Sequence, residues 1–474
     1  MGSLVVYYVP PIAPTHSDIM RRFVLVVIFL IPLSCNWSAD STRPKNLVFF
    51  IADGCGLATF SLARGYKSEM EDNPVLFLDA YQRGSVITRA DSAWVTDSAA
   101  SATAYACAVK TYIGAIGVDR DTTSVETILE AAERSGFNTG IVTTARITHA
   151  TPAAFSSHVP LRAMEEEIAA QQIEQGIEVI FGGGRMFYLP SHSGGVRRDS
   201  LNLLQHAIDS GYHNVQNRDE LLAASELPII GLFTDSYMAY EIDRDKMTEP
   251  SLAEMTRKAL ELLSDSGEPF FIMIEAGRID HAAHGNDPAA HLWDTLAYDE
   301  AWKVAIDFAM EDGETLVVGT SDHETGGLTL GAPMSGKSGS GYAYDPAQLA
   351  GITSSIPEFV SEIPARIESG LVVNKEWLMG ELQSRFQLVP DSVEGAINTI
   401  VRDWPVVGDS VAARRFHRFL SRETSYPARI GWSTGGHTAV DVPIFAYGPG
   451  SELIGGVMDN TEVGLALWEA LGLR

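Results

Sequence analysis

Seven short, almost unbroken apolar runs recur along the chain: NLVFFIAD (46–53), NTGIVTT (138–144), IEVIFGGG (177–184), PIIGLFT (228–234), PFFIMIEAG (269–277), ETLVVGTSD (314–322) and VPIFAYG (442–448). Runs of this length, without polar residues at every second place, are the pattern of strands buried on both faces. Between them, apolar positions recur at helical spacing. TTSVETILEAAERSG (122–136) has Ser/Thr at its start and Gly at its end, and EPSLAEMTRKALELLSDSG (249–267) reads the same way. The alternation of strand and helix predicts an α/β fold: a three-layer α/β/α sandwich with a central, largely parallel sheet.

The rhythm breaks between 331 and 435. A glycine-serine stretch, SGKSGSGYAY, is followed by helical patterns at 374–386, 391–403 and 409–422. This predicts an inserted helical cap. The catalytic domain then comprises a first part at 45–330 and a final strand and helix at 436–474. The N-terminus carries another pattern. Met20-Arg21-Arg22 precedes the 11-residue apolar run FVLVVIFLIPL (23–33). That is a signal-peptide core, too short for a membrane span of about 20 residues. Residues 1–36 are read as a signal peptide with an upstream extension if Met20 is the initiator. The protein is then exported: periplasmic, secreted or anchored at the outer surface. A lipid anchor at Cys35 competes with simple cleavage near Ser34 to Ala39. Cys55 and Cys107 remain after cleavage, and both read as buried free thiols rather than a disulfide.

Charge narrows the function. The chain has 61 Asp and Glu against 34 Lys and Arg, a formal net charge of −27. A surface of that sign argues against nucleic-acid binding. An anionic ligand would need local arginines or metal ions to override the global field.

Chemistry-bearing residues gather at the ends of the apolar runs, where open α/β sheets place their ligands. Asp53 follows FFIA, Glu275 follows FFIMI, Asp322-His323 follow LVVGTS, and His437 precedes the last run. In EAGRIDHAAH (275–284), Asp280 and His284 stand four apart and share one helical face. A carboxylate and an imidazole so placed can grip one metal. The set offers oxygen and nitrogen but no thiolate, which suits zinc or a comparable divalent ion. Singly, each of these residues reads better as a cap or a solvated surface group; the convergence carries the argument. Paired ions and a phosphate would make sense of it, with Ser98 attacking from a helix N-terminus and Arg162 clamping phosphate oxygens.

These residues sit in motifs that resemble one family. VTDSAASATAYACAVKTYIGAIGVD (95–119) resembles the nucleophile segment of alkaline phosphatases. The likeness continues through FFIADGCG, THATPAAFSSHVPLR, EVIFGGGR, EAGRIDHAAH, TSDHETGGL and GGHTAVDVPIFAYGPG, in family order, from about Lys45 to the C-terminus excepting the cap. The resemblance implies hydrolysis of phosphate monoesters through a phosphoserine on Ser98. It implies two Zn2+ and one Mg2+. One zinc would be held by Asp280, His284 and His437, the other by Asp53, Asp322 and His323. The third ion would lie at Asp53, Thr151 and Glu275. Arg162 would bind phosphate, oriented in part by Asp97. His149 and His281 stand beside the third ion and the phosphate, where the best-known bacterial version has aspartate and lysine. An imidazole there weakens the preference for magnesium, so either added magnesium activates slowly or zinc enters the third site. The family also implies a homodimer. Rival readings are a phosphodiesterase or sulfatase of the same superfamily, and an inactive binding protein on this fold. Retention of Ser98, Arg162, Thr151 and Glu275 together favours monoesters.

Overall fold

The structure is a computed structural model and describes residues 43–71, 75–331, 343–389, 394–395, 397–398 and 409–474. The signal segment, Cys35 and most of the 391–403 pattern lie outside the described residues.

All seven apolar runs are strands of one ten-stranded sheet, ordered β14-β2-β13-β8-β1-β7-β3-β4-β6-β5. The seven are β1 (Asn46–Ala52), β3 (Asn138–Arg146), β4 (Val179–Gly183), β6 (Ile229–Thr234), β7 (Phe270–Ala276), β8 (Thr315–Thr320) and β13 (Val442–Tyr447). Three polar strands complete it: β2 (Gln82–Ile87), β5 (His213–Val215) and β14 (Gly456–Asp459). β1 lies mid-sheet between β7 and β8, parallel to both. β13 alone runs against its neighbours β2 and β8. The sheet is thus largely parallel, as expected.

Successive residues of a strand point to opposite faces, so each apolar run feeds two layers. Phe50, Ile272 and Val317 pack into one core with the long Pro288–Asp312 helix, whose Tyr298 sits edge-on to Phe50. Phe49, Phe271 and Val318 pack into the other, against Tyr105 and Phe155. Helices therefore cover both faces, which gives the three layers. Cys55 and Cys107 are buried free thiols, one in each core.

Two helix starts differ from the sequence pattern. The 122–136 helix begins only at Ile128, capped by Thr127 in a reciprocal bond with Glu130. Upstream, Asp119 accepts from the amides of Asp121 and Thr123 and holds a turn instead. The 249–267 helix is Leu252–Asp265, with Ser251 and Glu254 as its capping box.

After β8 the chain makes two short ribbons. β9 (Glu324–Thr325) pairs with β12 (His437–Thr438), and β10 (Leu328–Leu330) pairs with β11 (Ile430–Trp432). Between β10 and β11 lie the helices Ile356–Glu368, Lys375–Phe386 and Asp409–Ala428. Among the described residues, no helix is long and apolar enough to cross a membrane.

Candidate active site

The carboxyl ends of β1, β7, β8 and β3 deliver Asp53, Glu275, Asp322-His323 and His149 to one place. Asp53, Glu275, Asp322 and His323 are fully buried. His323 Nε2 lies 3.2 Å from Asp322 Oδ2 and 3.7 Å from Asp53 Oδ1. One oxygen of Asp322 accepts from the amides of Gly54 and His323 at 3.1 and 2.9 Å, which aims the other inward.

Asp280 and His284 lie on the Arg278–His284 helix, and His437 lies on β12. Asp280 Oδ2 is 3.3 Å from His284 Nε2, as the four-residue spacing predicts. His437 Nε2 is 3.2 Å from His284 Nε2 and 3.9 Å from Asp280 Oδ1. The His437 ring stacks on His323 with centroids 3.6 Å apart, so the two ligand groups share a wall.

The outer hydrogen bonds fix the tautomers of these histidines. His284 Nδ1 donates to Gly435 O at 2.8 Å, and His437 Nδ1 donates to Thr96 O at 2.8 Å. Thr325 donates its hydroxyl to Asp280 Oδ1 at 2.6 Å, which leaves it as acceptor for His323 Nδ1 at 3.2 Å. Each Nε2 thus turns its lone pair toward the cluster. Two such lone pairs 3.2 Å apart repel unless a cation or proton lies between them. The hydrogen bond to Asp280 lifts His284 to about 9 when no ion is bound. Burial pushes Asp280 upward, but His284 and His323 outweigh it and hold its carboxyl well below the usual range.

A third group brings Asp53, His149 and Glu275 within ligand distance of one another. Here the structure departs from expectation. His149, expected only beside the third ion, caps the Ala150–Ser156 helix and joins the group itself. Thr151 lies two residues further on and is buried. Its hydroxyl is close enough to Glu275 to lower that carboxyl, yet has no partner in hydrogen-bonding geometry.

The unpartnered atoms test whether this donor set fits metal ions. Both oxygens of Asp53, Asp322 Oδ2, Glu275 Oε1, His149 Nδ1 and Thr151 Oγ1 are buried without a hydrogen bond. Buried polar atoms are normally satisfied, so a cluster of orphaned carboxylate oxygens needs cations. Burial, then Asp322, Asp280 and Glu275, drives the Asp53 carboxyl well above its ordinary value. Burial pushes Glu275 up to about 7, Thr143 opposing with its hydroxyl bond. Burial lowers His323 to about 4 and His281 to about 3, which keeps both imidazoles neutral. Neutral imidazoles and oxygen atoms suit divalent ions such as zinc or magnesium.

Ser98 is the first residue of the Ser98–Cys107 helix, and Asp97 is its cap, accepting from Ala100 N at 3.0 Å. Ser98 Oγ stands 3.2 Å from His323 Nε2. The other oxygen of Asp97 accepts from Gly114 N and from Arg162 Nη1, both at 3.1 Å. Arg162 is held again where its own amide donates to Gly114 O at 2.8 Å. Its Nη2 lies 3.0 Å from His149 Nε2. Nucleophile candidate and cation are therefore tied to one carboxylate. The Asn460–Leu471 helix backs this helix so closely that a Cβ on Gly464 would meet Ala104 O at 2.6 Å.

His281 does not reach the ligand groups. Arg278 Nη1 is 2.9 Å from its Nδ1, and its ring lies 4.3 Å from the Tyr237 ring and 5.5 Å from His149. Sequence reasoning did not single out Tyr237, Thr143 or Thr325. Thr325 sits inside the quoted TSDHETGGL motif, which is a signal; Tyr237 carries none.

The alkaline phosphatase family profile matches residues 44–473. The repressible alkaline phosphatase of Saccharomyces cerevisiae is 36% identical over 95% of this chain and 85% of its own length. The crystal structure of Thermus thermophilus alkaline phosphatase superposes with a TM-score of 0.79 at 31% identity, covering 94% of this chain and 96% of that one. A histidine-to-glutamate variant of the alkaline phosphatase from the Antarctic bacterium TAB5, with Mg bound in its M3 site, superposes with a TM-score of 0.64 at 28% identity over 91% and 99%. The chain belongs to the alkaline phosphatase family, whose members hydrolyse phosphate monoesters.

Proposed function

We propose that the protein hydrolyses phosphate monoesters to alcohol and inorganic phosphate through a phosphoserine on Ser98. The observation that carries this is the placing of Ser98 Oγ 3.2 Å from His323 Nε2, beside orphaned carboxylates, with Arg162 tied to the same cap residue. Asp53, Asp322 and His323 would hold one zinc ion, and Asp280, His284 and His437 a second. Asp53 and Glu275, with Thr151 and His149, would hold the third, a magnesium-type ion that zinc can replace. The Mg in the M3 site of the TAB5 variant supports a third site of that kind. Bound there, the ions supply Lewis acidity at the exchanging oxygens and positive charge for the phosphate.

The chain's own residues divide the rest. Arg162 grips two phosphate oxygens with its guanidinium fork, and Asp97 fixes the fork's plane. The free amides at the start of the Ser98–Cys107 helix add partial positive charge toward the same anion. Ser98 Oγ gives up its proton and forms the bond to phosphorus as the ester P–O bond breaks. The departing alkoxide takes up a proton. Water then attacks phosphorus, the Oγ–P bond breaks, and Ser98 regains its proton as inorganic phosphate leaves. Two in-line displacements retain configuration at phosphorus.

The test is Ser98→Ala, assayed on p-nitrophenyl phosphate and on its bis-ester, together with metal analysis of the purified wild type. Expected are loss of monoesterase activity with fold intact, weak action on the bis-ester, and about three divalent ions per chain. Undiminished monoesterase activity in the variant would sink the mechanism. The antiparallel pairing of β10 with β11 supports reading 331–435 as an insertion that leaves and rejoins the catalytic domain at one point. Export, with either simple cleavage near Ser34 to Ala39 or a lipid anchor at Cys35, and a homodimer extend the same reading.

A further inference from the structure

A cleft of about 820 Å³ opens directly beside the proposed metal centre, with His284 and Gly435 at its inner end. Its opposite wall is the Asp409–Ala428 helix, which contributes Arg418, Arg422 and Tyr426, and Trp432 of β11 closes one side. That volume is ample for a nucleoside-sized group.

The helix is pinned to the metal-bearing segment, which fixes the positions from which its arginines extend. His417 Nε2 donates to Gly285 O at 2.7 Å, and Ser421 Oγ donates to Asn286 O at 2.8 Å. Those carbonyls come immediately after His284. Arg418 and Arg422 stand one helical turn apart, neighbours on one face. Arg418 is exposed and has no acidic partner among the described residues. Among the described residues, Arg422 forms an ion pair with the adjacent Glu423 at 2.6 Å and lies 5.9 Å from the Phe419 ring centre, and its side chain is 71% exposed. On a chain of net charge −27, two arginines turned to one cleft are a local reversal of sign. The aromatic part of the wall is fixed as well. Trp432 Nε1 donates to Ser425 Oγ at 3.1 Å, and the ring rests on Gly326, where a Cβ would come within 2.6 Å.

We propose that this cleft binds the alcohol portion of the substrate and favours monoesters whose alcohol carries a second phosphate beside a flat ring. A nucleoside bisphosphate is the chemistry it fits: one phosphate at Ser98 and Arg162, the ring along Trp432 and Tyr426, the second phosphate on Arg418 and Arg422. Guanidinium groups recognise phosphate by paired charge-assisted hydrogen bonds, and Arg and aromatic faces also stack on bases. This rests on the reaction proposed above, but adds a preference among its substrates that the metal centre cannot supply.

The experiment is steady-state kinetics of the metal-loaded full chain on three compounds: p-nitrophenyl phosphate, adenosine 5′-monophosphate and adenosine 3′,5′-bisphosphate. Release of the first phosphate is followed. Wild type should show a KM for the bisphosphate about tenfold below that for the monophosphate, and the gap should shrink as salt is raised. Arg418→Ala and the double variant with Arg422→Ala should raise the bisphosphate KM about tenfold. They should leave kcat and KM for p-nitrophenyl phosphate within twofold, with Arg418→Lys intermediate. Equal KM values for the two nucleotides in wild type would overturn the proposal, as would a variant that shifts all three substrates alike. Failure of the reaction itself reads differently: wild type would then not cleave p-nitrophenyl phosphate at all.

Discussion

Chelating the metal ions should make the protein lose stability as pH rises, and Glu275 should account for a measurable part of the loss. Without ions, Glu275 is fully buried among Asp53, Asp280 and Asp322, and burial raises its carboxyl from 4.5 to about 7. A folded-state pKa above the unfolded value means the stability contribution is complete below about pH 4.5. It is lost as pH climbs through about 7. A displacement of that size corresponds to about 3 kcal/mol. Asp53 is displaced in the same direction and adds to the loss. Unfolding about 400 residues at roughly 2 cal/mol/K each gives about 0.8 kcal/mol/K, so about 3 kcal/mol is about 3–4 °C in Tm. The assay is thermal unfolding of chelator-treated protein at pH 5 and pH 8.5, at one scan rate, for wild type and Glu275→Gln. Glutamine has the same shape and can still accept from Thr143, but has no charge to desolvate. The chelated wild type should fall about 3–4 °C further than the chelated variant between those pH values, and the metal-loaded wild type should not show this excess. Identical falls for wild type and Glu275→Gln would refute the reasoning, because the buried carboxylate would then not be what the ions offset.

Two further outcomes follow from the geometry. Arg162→Ala removes a charged fork worth about 1.5–3 kcal/mol to the transferring phosphate, so kcat/KM should drop about 10–100-fold and inorganic phosphate should inhibit more weakly; an unchanged phosphate inhibition constant would remove Arg162 from the site. Gly464→Ala would push a methyl to 2.6 Å from Ala104 O and 2.8 Å from Tyr105 O, an overpacking cost of about 1–3 kcal/mol that should lower Tm and, by shifting the Ser98–Cys107 helix, kcat. A wild-type Tm would show that the two helices can separate without cost.

The seven doubly buried strands were legible because burial on both faces leaves an unbroken apolar signature, as in β1, where every residue is buried. The strands that escaped are those without it. β2 reads QRGSVI and only Val86 is buried; β14 reads GVMD and none of its residues is. Their pairing is decided by neighbours far along the chain, since β2 joins β13 and β14. Helix starts failed where two capping candidates competed, and Thr127 prevailed because Glu130 could answer it while Thr122–Thr123 were already engaged by Asp119. Within the site, the strand-end carboxylates and histidines were legible from position and motif. What the sequence did not resolve was which atoms meet. His149 and Thr151 are two residues apart at a helix start, and only the extended backbone of the cap residue brings the imidazole to Asp53 and Glu275. Thr325 and Tyr237 depend on long-range packing that no local spacing encodes.

The charge balance explains why the site must be loaded before it can bind. Asp53, Glu275, Asp280 and Asp322 crowd one buried space, on a chain whose net charge already repels phosphate. Arg162 cannot reverse that alone, because Asp97 engages one of its terminal nitrogens. Positive charge must come from bound divalent ions on the inner side and, on the alcohol side, from arginines outside the sheet. The acidic cluster draws cations in, and the cations then hold the anion. Metal loading and phosphate affinity are therefore one linked equilibrium, in which each strengthens the other by the same factor. Phosphate should therefore slow metal loss to a chelator, and chelation should weaken phosphate binding in turn.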